Sequence, residues 1–175
     1  MKELWLLNGL AATVPVGAVD GLAAWPGVRA VRLDATIQPP QTLQATTAAA
    51  PQWNVTAIRA PALWAAGETG VGAVVAGLDT GVDGAHPDLA GTWRGGAGGW
   101  YDPFGQHASP YDASGHGTQT MGLVAGGSAG GTAIGVAPGA QWIAARIFDD
   151  AGRGTLSDVH LALPWALDPD GDPAT

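Results

Sequence analysis

No cysteine occurs in the 175 residues, which excludes disulfides, thiolate metal ligands and a thiol nucleophile. Charge is scarce as well: Asp, Glu, Lys and Arg make up 13% of the chain, about half the usual share. Seven Lys and Arg stand against 15 Asp and Glu, and the net charge of −8 argues against a nucleic-acid partner. No apolar run reaches the length of a membrane span, so a membrane is not expected as a partner either. What remains is apolar and loop-rich. Hydrophobic residues are 46%, and 28 Gly and 13 Pro stop just short of a low-complexity composition. A chain of this length holds one modest domain, or a small one and part of a larger one.

The few charges are unevenly placed. Residues 1–52 are neutral, with Lys2, Arg29 and Arg32 against Glu3, Asp20 and Asp34. Residues 53–175 carry the whole net charge of −8. Between the two, residues 38–52 are uncharged, rich in Pro, Thr and Gln, and without periodicity, which is the composition of a linker. The expected organisation is therefore 1–37, a linker at 38–52, and 53–175. In the first segment Leu4 to Leu10 reads as a strand, Val16 to Trp25 as a short helix stopped by Pro26-Gly27, and Val28 to Asp34 as a half-buried strand. Three short elements bury little core, so this piece should lean on a larger one. Lys2 and the Leu-rich run have the flavour of a signal peptide, but Glu3, Asn8, Gly9 and Pro15 interrupt the apolar stretch.

In the second segment Ala73 to Leu78 is a continuous run of small and β-branched residues. It reads as a parallel strand buried on both faces. Asp79-Thr80-Gly81 follows at once, and in open α/β sheets the working residues lie just beyond such strand ends. Asp79 would otherwise merely cap a turn. Helices are expected at Val55 to Ala66, with Ile58, Leu63 and Trp64 as its larger apolar residues, at Gly117 to Ala125, with Met121 and Val124 on one face, and at Leu156 to Leu167, weakened by Pro164. A short strand is expected near Gly99 to Tyr101 and a second buried strand at Gln141 to Phe148. Alternating strands and helices give the expected fold class: α/β, a doubly wound parallel sheet.

Gly115-His116-Gly117-Thr118 places an imidazole at the mouth of a helix, where the positive pole favours the neutral base. A neutral histidine working as a base needs a carboxylate to set its tautomer, and Asp79 can supply one. The plain alternative is a surface histidine in a turn.

Four stretches in this order resemble the subtilisin-like serine proteases: Leu78 to Asp83, His86-Pro87-Asp88-Leu89, Gly115 to Thr118, and Gly135-Val136-Ala137-Pro138. Trp64-Ala65-Ala66-Gly67 and Trp165-Ala166-Leu167 are similar to the bacillopeptidase F-like branch. The resemblance runs from about Trp53 onward, and residues 4–37 resemble the second half of the family's inhibitory propeptide. It implies that Asp79 is the triad acid and His116 the general base. It also implies that Gly152-Arg153-Gly154 is an edge strand pairing with an extended protein or peptide substrate, and that Phe148 lines an apolar subsite. Asp88 matches a calcium-binding position of some members, although Gly126 to Gly131 offers no carboxylate or Asn to complete a cage. Asp83 and His86 read as turn formers. The resemblance further implies a secreted enzyme and an intramolecular partner, its own propeptide.

Two features depart from the family pattern. Gln119 stands where a second His is common. The Gly-Thr-Ser-Met-Ala nucleophile motif and the oxyanion Asn do not occur, and Ser109, Ser114, Ser128 and Ser157 lack that setting. The expectation is thus a propeptide tail with the amino half of a peptidase domain, inactive alone. Two other classes stay open: a non-catalytic module that binds peptides or inhibits a protease, and an aspartic protease. The last shares Asp-Thr-Gly but has an all-β fold and leaves Gly-His-Gly-Thr without a role.

Overall fold

A computed structural model describes residues 1–42 and 52–171, so most of the expected linker lies outside the described residues. In chain order the first segment has β1 (Lys2–Leu4), β2 (Gly9–Ala11), α1 (Val19–Ala23) and β3 (Thr36–Ile37). The second has α2 (Trp53–Ala57), α3 (Ala60–Ala65), β4 (Val74–Asp79), β5 (Trp100–Tyr101), α4 (His116–Ala125), β6 (Gln141–Arg146), β7 (Gly154–Thr155) and α5 (Leu156–Leu167).

β4, β6 and β5 form a parallel sheet in that spatial order, with Val75 opposite Trp142, Gly77 opposite Ala144 and Asp79 opposite Arg146. Side chains alternate across a strand, so Val75, Trp142 and Ala144 share one face. There they pack with Met121 and Ala125 of α4 and with Val82 and Leu89. The indole of Trp142 is fully buried, and its N–H is satisfied by Leu89 O at 2.8 Å. The opposite face, with Val74, Ala76 and Ile143, meets Ala166 and Leu167 of α5 around a cavity of about 200 Å³. Helices on both faces of a parallel sheet are the α/β arrangement read from the alternation of elements.

Several expectations are corrected. β4 is not buried along its length: Val74 is 46% exposed, and among the described residues no strand pairs with its outer edge. The fully covered strand is β6, buried from Trp142 to Arg146 because it lies between β4 and β5. Residues 4–10 are not one strand. A 3-10 turn at Trp5–Leu7 and Asn8 at φ 49 fold β2 back on β1, pairing Lys2 with Ala11 and Leu4 with Gly9. Among the described residues Val28 to Asp34 pairs with no strand, and pairing begins at β3. The helix at 55–66 is two helices, broken where Arg59 enters the left-handed region at φ 61. Their buried residues are Val55 and Ala60, whereas Ile58 and Leu63 are exposed. On α4 it is Gly117, Met121, Gly122 and Ala125 that face the core, and Val124 is exposed.

The first segment leans on the second as its small core requires. β3 pairs antiparallel with β7, matching Ile37 to Gly154 and Thr36 to Thr155. Asp34 Oδ1 accepts the Ser157 N–H at 3.0 Å, and Lys2 Nζ reaches the buried carboxylate of Asp158 at 2.6 Å. Asp158 also closes a capping box with Thr155 at the start of α5, which continues through Pro164 to Leu167.

Candidate active site

The carboxyl end of β4 and the amino end of α4 meet. β4 delivers Asp79 at its last position, and His116 is the first residue of α4. His116 Nδ1 lies 2.7 Å from Asp79 Oδ1 and 3.0 Å from Oδ2, with both side chains about a fifth exposed. A donor at Nδ1 leaves Nε2 as the free, basic nitrogen. The carboxylate is oriented further by the Thr80 N–H on Oδ1 at 2.7 Å and by Thr120 Oγ1, 3.2 Å from Oδ2. Gly117 makes the close approach possible, because a Cβ there would sit 2.0 Å from Gly81 O and 3.1 Å from Asp79 Cβ.

Asp112 was not singled out in the sequence, yet it organises this junction. Its Oδ1 accepts from Thr80 Oγ1 and from the Ser114 and Gly115 N–H groups, while Oδ2 accepts the Thr118 N–H and hydroxyl. The Thr80 hydroxyl in turn accepts the Gly117 N–H at 2.9 Å. One carboxylate therefore satisfies the amino end of α4 and ties it to the residue after Asp79. The signal was an Asp two residues before Ser114, a spacing at which Asp side chains bond to following backbone N–H groups.

Residues 70–172 match the profile of the subtilase family. The chain belongs to the subtilase family. Bacillopeptidase F of Bacillus subtilis (strain 168) is 44% identical over 129 residues, covering 67% of this chain and 9% of that protein. Subtilisin E of the same strain is 34% identical over 167 residues, covering 95% of this chain and 40% of the relative. Thermitase of Thermoactinomyces vulgaris is 39% identical over 118 residues, covering 67% of this chain and 40% of its own length. The chain thus spans less than half the length of each of these serine-protease relatives. The parallel α/β sheet around Asp79-Thr80-Gly81 is not the all-β surrounding that an aspartic protease would need.

The other residues singled out in this subtilase chain divide. Phe148 is buried and lines a small cavity with Thr80, Ser114, Gly152 and Pro39. Gly154 is paired, but its partner is the chain's own Ile37. Gly152 lies against the Pro39 ring, and Arg153 turns outward to Asp149 at 2.7 Å. Asp88 sits away from the Asp79–His116 pair in a turn, where its Oδ1 accepts the Ala129 N–H at 2.6 Å. Among the described residues no group of three or more His, Asp or Glu could hold a metal ion. Asp83 and His86 serve their turns by accepting the N–H groups of Ala85 and Asp88.

A second polar cluster gathers around the side chain of Arg146. Arg146 is fully buried, with Nη2 at 2.6 Å from Asp150 and Nη1 at 3.4 Å from Asp102. His107 stacks on Tyr111 and hydrogen-bonds Asp150 at 3.0 Å. The His107 hydrogen bond, followed by that of Arg146, holds the Asp150 carboxyl below its ordinary value. Arg153 does the same for Asp149 through its side chain and then its backbone. The loop at 149–153 is thereby pinned from both sides.

Proposed function

We propose that this chain carries the acid and base of a serine endopeptidase that hydrolyses peptide bonds in protein or peptide substrates. The observation that carries the reading is the 2.7 Å contact between His116 and Asp79 at the carboxyl end of a parallel strand, in a subtilase chain. His116 Nε2 takes the proton from a serine hydroxyl as it attacks the carbonyl, then returns it to the leaving amine. Asp79 fixes the tautomer with Nδ1–H toward itself and stabilises the imidazolium that forms. None of Ser109, Ser114, Ser128 and Ser157 provides the nucleophile; Ser157, for example, is buried at the start of α5 with its hydroxyl against Thr155.

In the same reading residues 1–37 are a propeptide, and β3 lies along β7 as an extended substrate would. Pro39 crosses Gly152, and the Thr42 methyl lies 3.6 Å from where a Gly115 Cβ would be, beside His116. In this reading Pro39 and Thr42 stand in the path of a substrate, and none of the chain's own serines has the setting of a nucleophile, so the isolated chain is inactive. Likeness to the subtilisins favours secretion in this reading.

The test is a chimera in which residues 53–171 replace the matching stretch of bacillopeptidase F. It should hydrolyse casein, and His116→Ala or Asp79→Ala should each lower kcat by about a thousandfold or more. Turnover indifferent to His116→Ala would remove the reading. The 175-residue chain alone should resist acylation by a fluorophosphonate at all its own serines. The β3–β7 pairing also favours a second reading, an inhibitory module acting through residues 1–37. Inhibition of subtilisin E by a peptide covering residues 1–42 would support it.

A further inference from the structure

His116 and Thr120 stand four residues apart on α4, so both side chains leave the same helical face, one turn apart. They meet the same carboxylate. His116 Nδ1 is 2.7 Å from Asp79 Oδ1 and 3.0 Å from Oδ2, and Thr120 Oγ1 is 3.2 Å from Oδ2. Thr120 also has an acceptor inside its own helix, Gly117 O at 3.0 Å, the kind of carbonyl a helical Thr commonly serves. A hydroxyl carries one hydrogen, so the two acceptors compete for it, and the ionised carboxylate is the stronger.

We propose that Thr120 is a positioning residue for the acid–base pair, its hydroxyl donating to Asp79 Oδ2 and limiting the pull of that carboxylate on the imidazole. The Thr80 N–H already engages Oδ1 at 2.7 Å, so with Thr120 each oxygen of Asp79 has a donor besides His116. Donors withdraw negative charge from the carboxylate and weaken its hold on an imidazolium. In a peptidase this eases return of the proton from His116 to the leaving amine, so the functional meaning rests on the reading above. Two other charged groups pack around this strand end. Asp112 is held by the amino end of α4, and Arg146 is engaged by Asp102 and Asp150. Their charges are the same in parent and variants and cancel in a comparison.

The test is an NMR titration of the His116 ring in the full 175-residue chain and in Thr120→Val, Thr120→Ala, Thr120→Ser and Asp79→Asn, with His116→Gln for assignment. Thr120→Val keeps the side-chain volume and removes the donor. Its His116 titration midpoint should move up by about half a pH unit, roughly threefold in proton affinity. Thr120→Ala should move it the same way, and Thr120→Ser should restore the parent value. Should Val fail to fold, Ala decides. An unmoved or lowered midpoint in folded Val or Ala, or an equal rise in Ser, overturns the proposal. Asp79→Asn separates the two readings. If it lowers the midpoint while the Thr120 variants do nothing, only the Thr120 role falls; if it changes nothing, the acid–base pair falls as well.

Discussion

A single methyl group measures how tightly the Asp79–His116 junction is built. At Gly117 it would meet Gly81 O at 2.0 Å and Asp79 Cβ at 3.1 Å, and neither can swing away as the end of a long side chain would. Gly117→Ala must therefore push α4 off the end of β4. The expected cost is about 1–3 kcal/mol, as for other overpacked sites, read from the midpoint of urea unfolding. An unshifted midpoint would mean that the junction has room. At this scale Asp79 and His116 were legible, because an acid at a strand end and a His between glycines at a helix mouth are local patterns. Asp112 and Thr120 were not. Their importance comes from what lies opposite them, and Thr120 meets Asp79 from 41 positions away.

Elements fail or hold at their joints. α2 and α3 are separated by Arg59 at φ 61, a left-handed conformation that an L side chain adopts at a cost. Arg59→Gly should stabilise the protein by about 0.5–1 kcal/mol, the relief of that strain less the added freedom of the unfolded chain. Thermal unfolding checks this, and a lower Tm would show that the Arg side chain contributes more than its backbone costs. The 149–153 loop has a different dependence. His107 and Arg146 hold Asp150 below the ordinary value, and Arg153 holds Asp149 there, while the unfolded value is near 3.8. Because the folded values are depressed, the stabilisation is fully present above the unfolded value and is lost as pH falls through the depressed ones. Amide exchange at 150–155 should therefore stay slow relative to intrinsic rates at pH 5 and speed up below pH 4 before the sheet amides of β6 do. Simultaneous loss in both regions would argue against a local clip.

Across the whole molecule, the polar contacts that join the first segment to the second, beside the β3–β7 pairing, gather at the start of α5. Lys2 pairs with Asp158, whose side chain is 4% exposed, and the Asp34 carboxylate accepts the Ser157 N–H. Burial raises the Asp34 carboxyl, but the hydrogen bonds from Ser157, with those of Thr155 and the charge of Lys2, bring it below its ordinary value. Lys2→Ala leaves Asp158 its Thr155 bonds and should loosen the hairpin of β1 and β2 by about 1 kcal/mol. Amide exchange of residues 2–11 should rise about fivefold while α4 amides stay unchanged. Equal protection in parent and variant would show that apolar contacts alone seat the hairpin.

The sequence by itself determined the family: composition excluded thiols, and four short motifs in order carried the likeness to the subtilases and put Asp79 and His116 at a strand end and a helix mouth. Those signals are local, carried by neighbours along the chain. Only the tertiary structure decided that β6 rather than β4 is the enclosed strand, since enclosure depends on which strands lie on either side. It also decided that β3 occupies the edge of β7, because backbone hydrogen bonds form wherever a free edge lies within reach. Likewise the fivefold grip of Asp112 and the meeting of Thr120 with Asp79 depend on distances that no periodicity encodes. They exist because a helix mouth and a strand end were brought within 3 Å of each other.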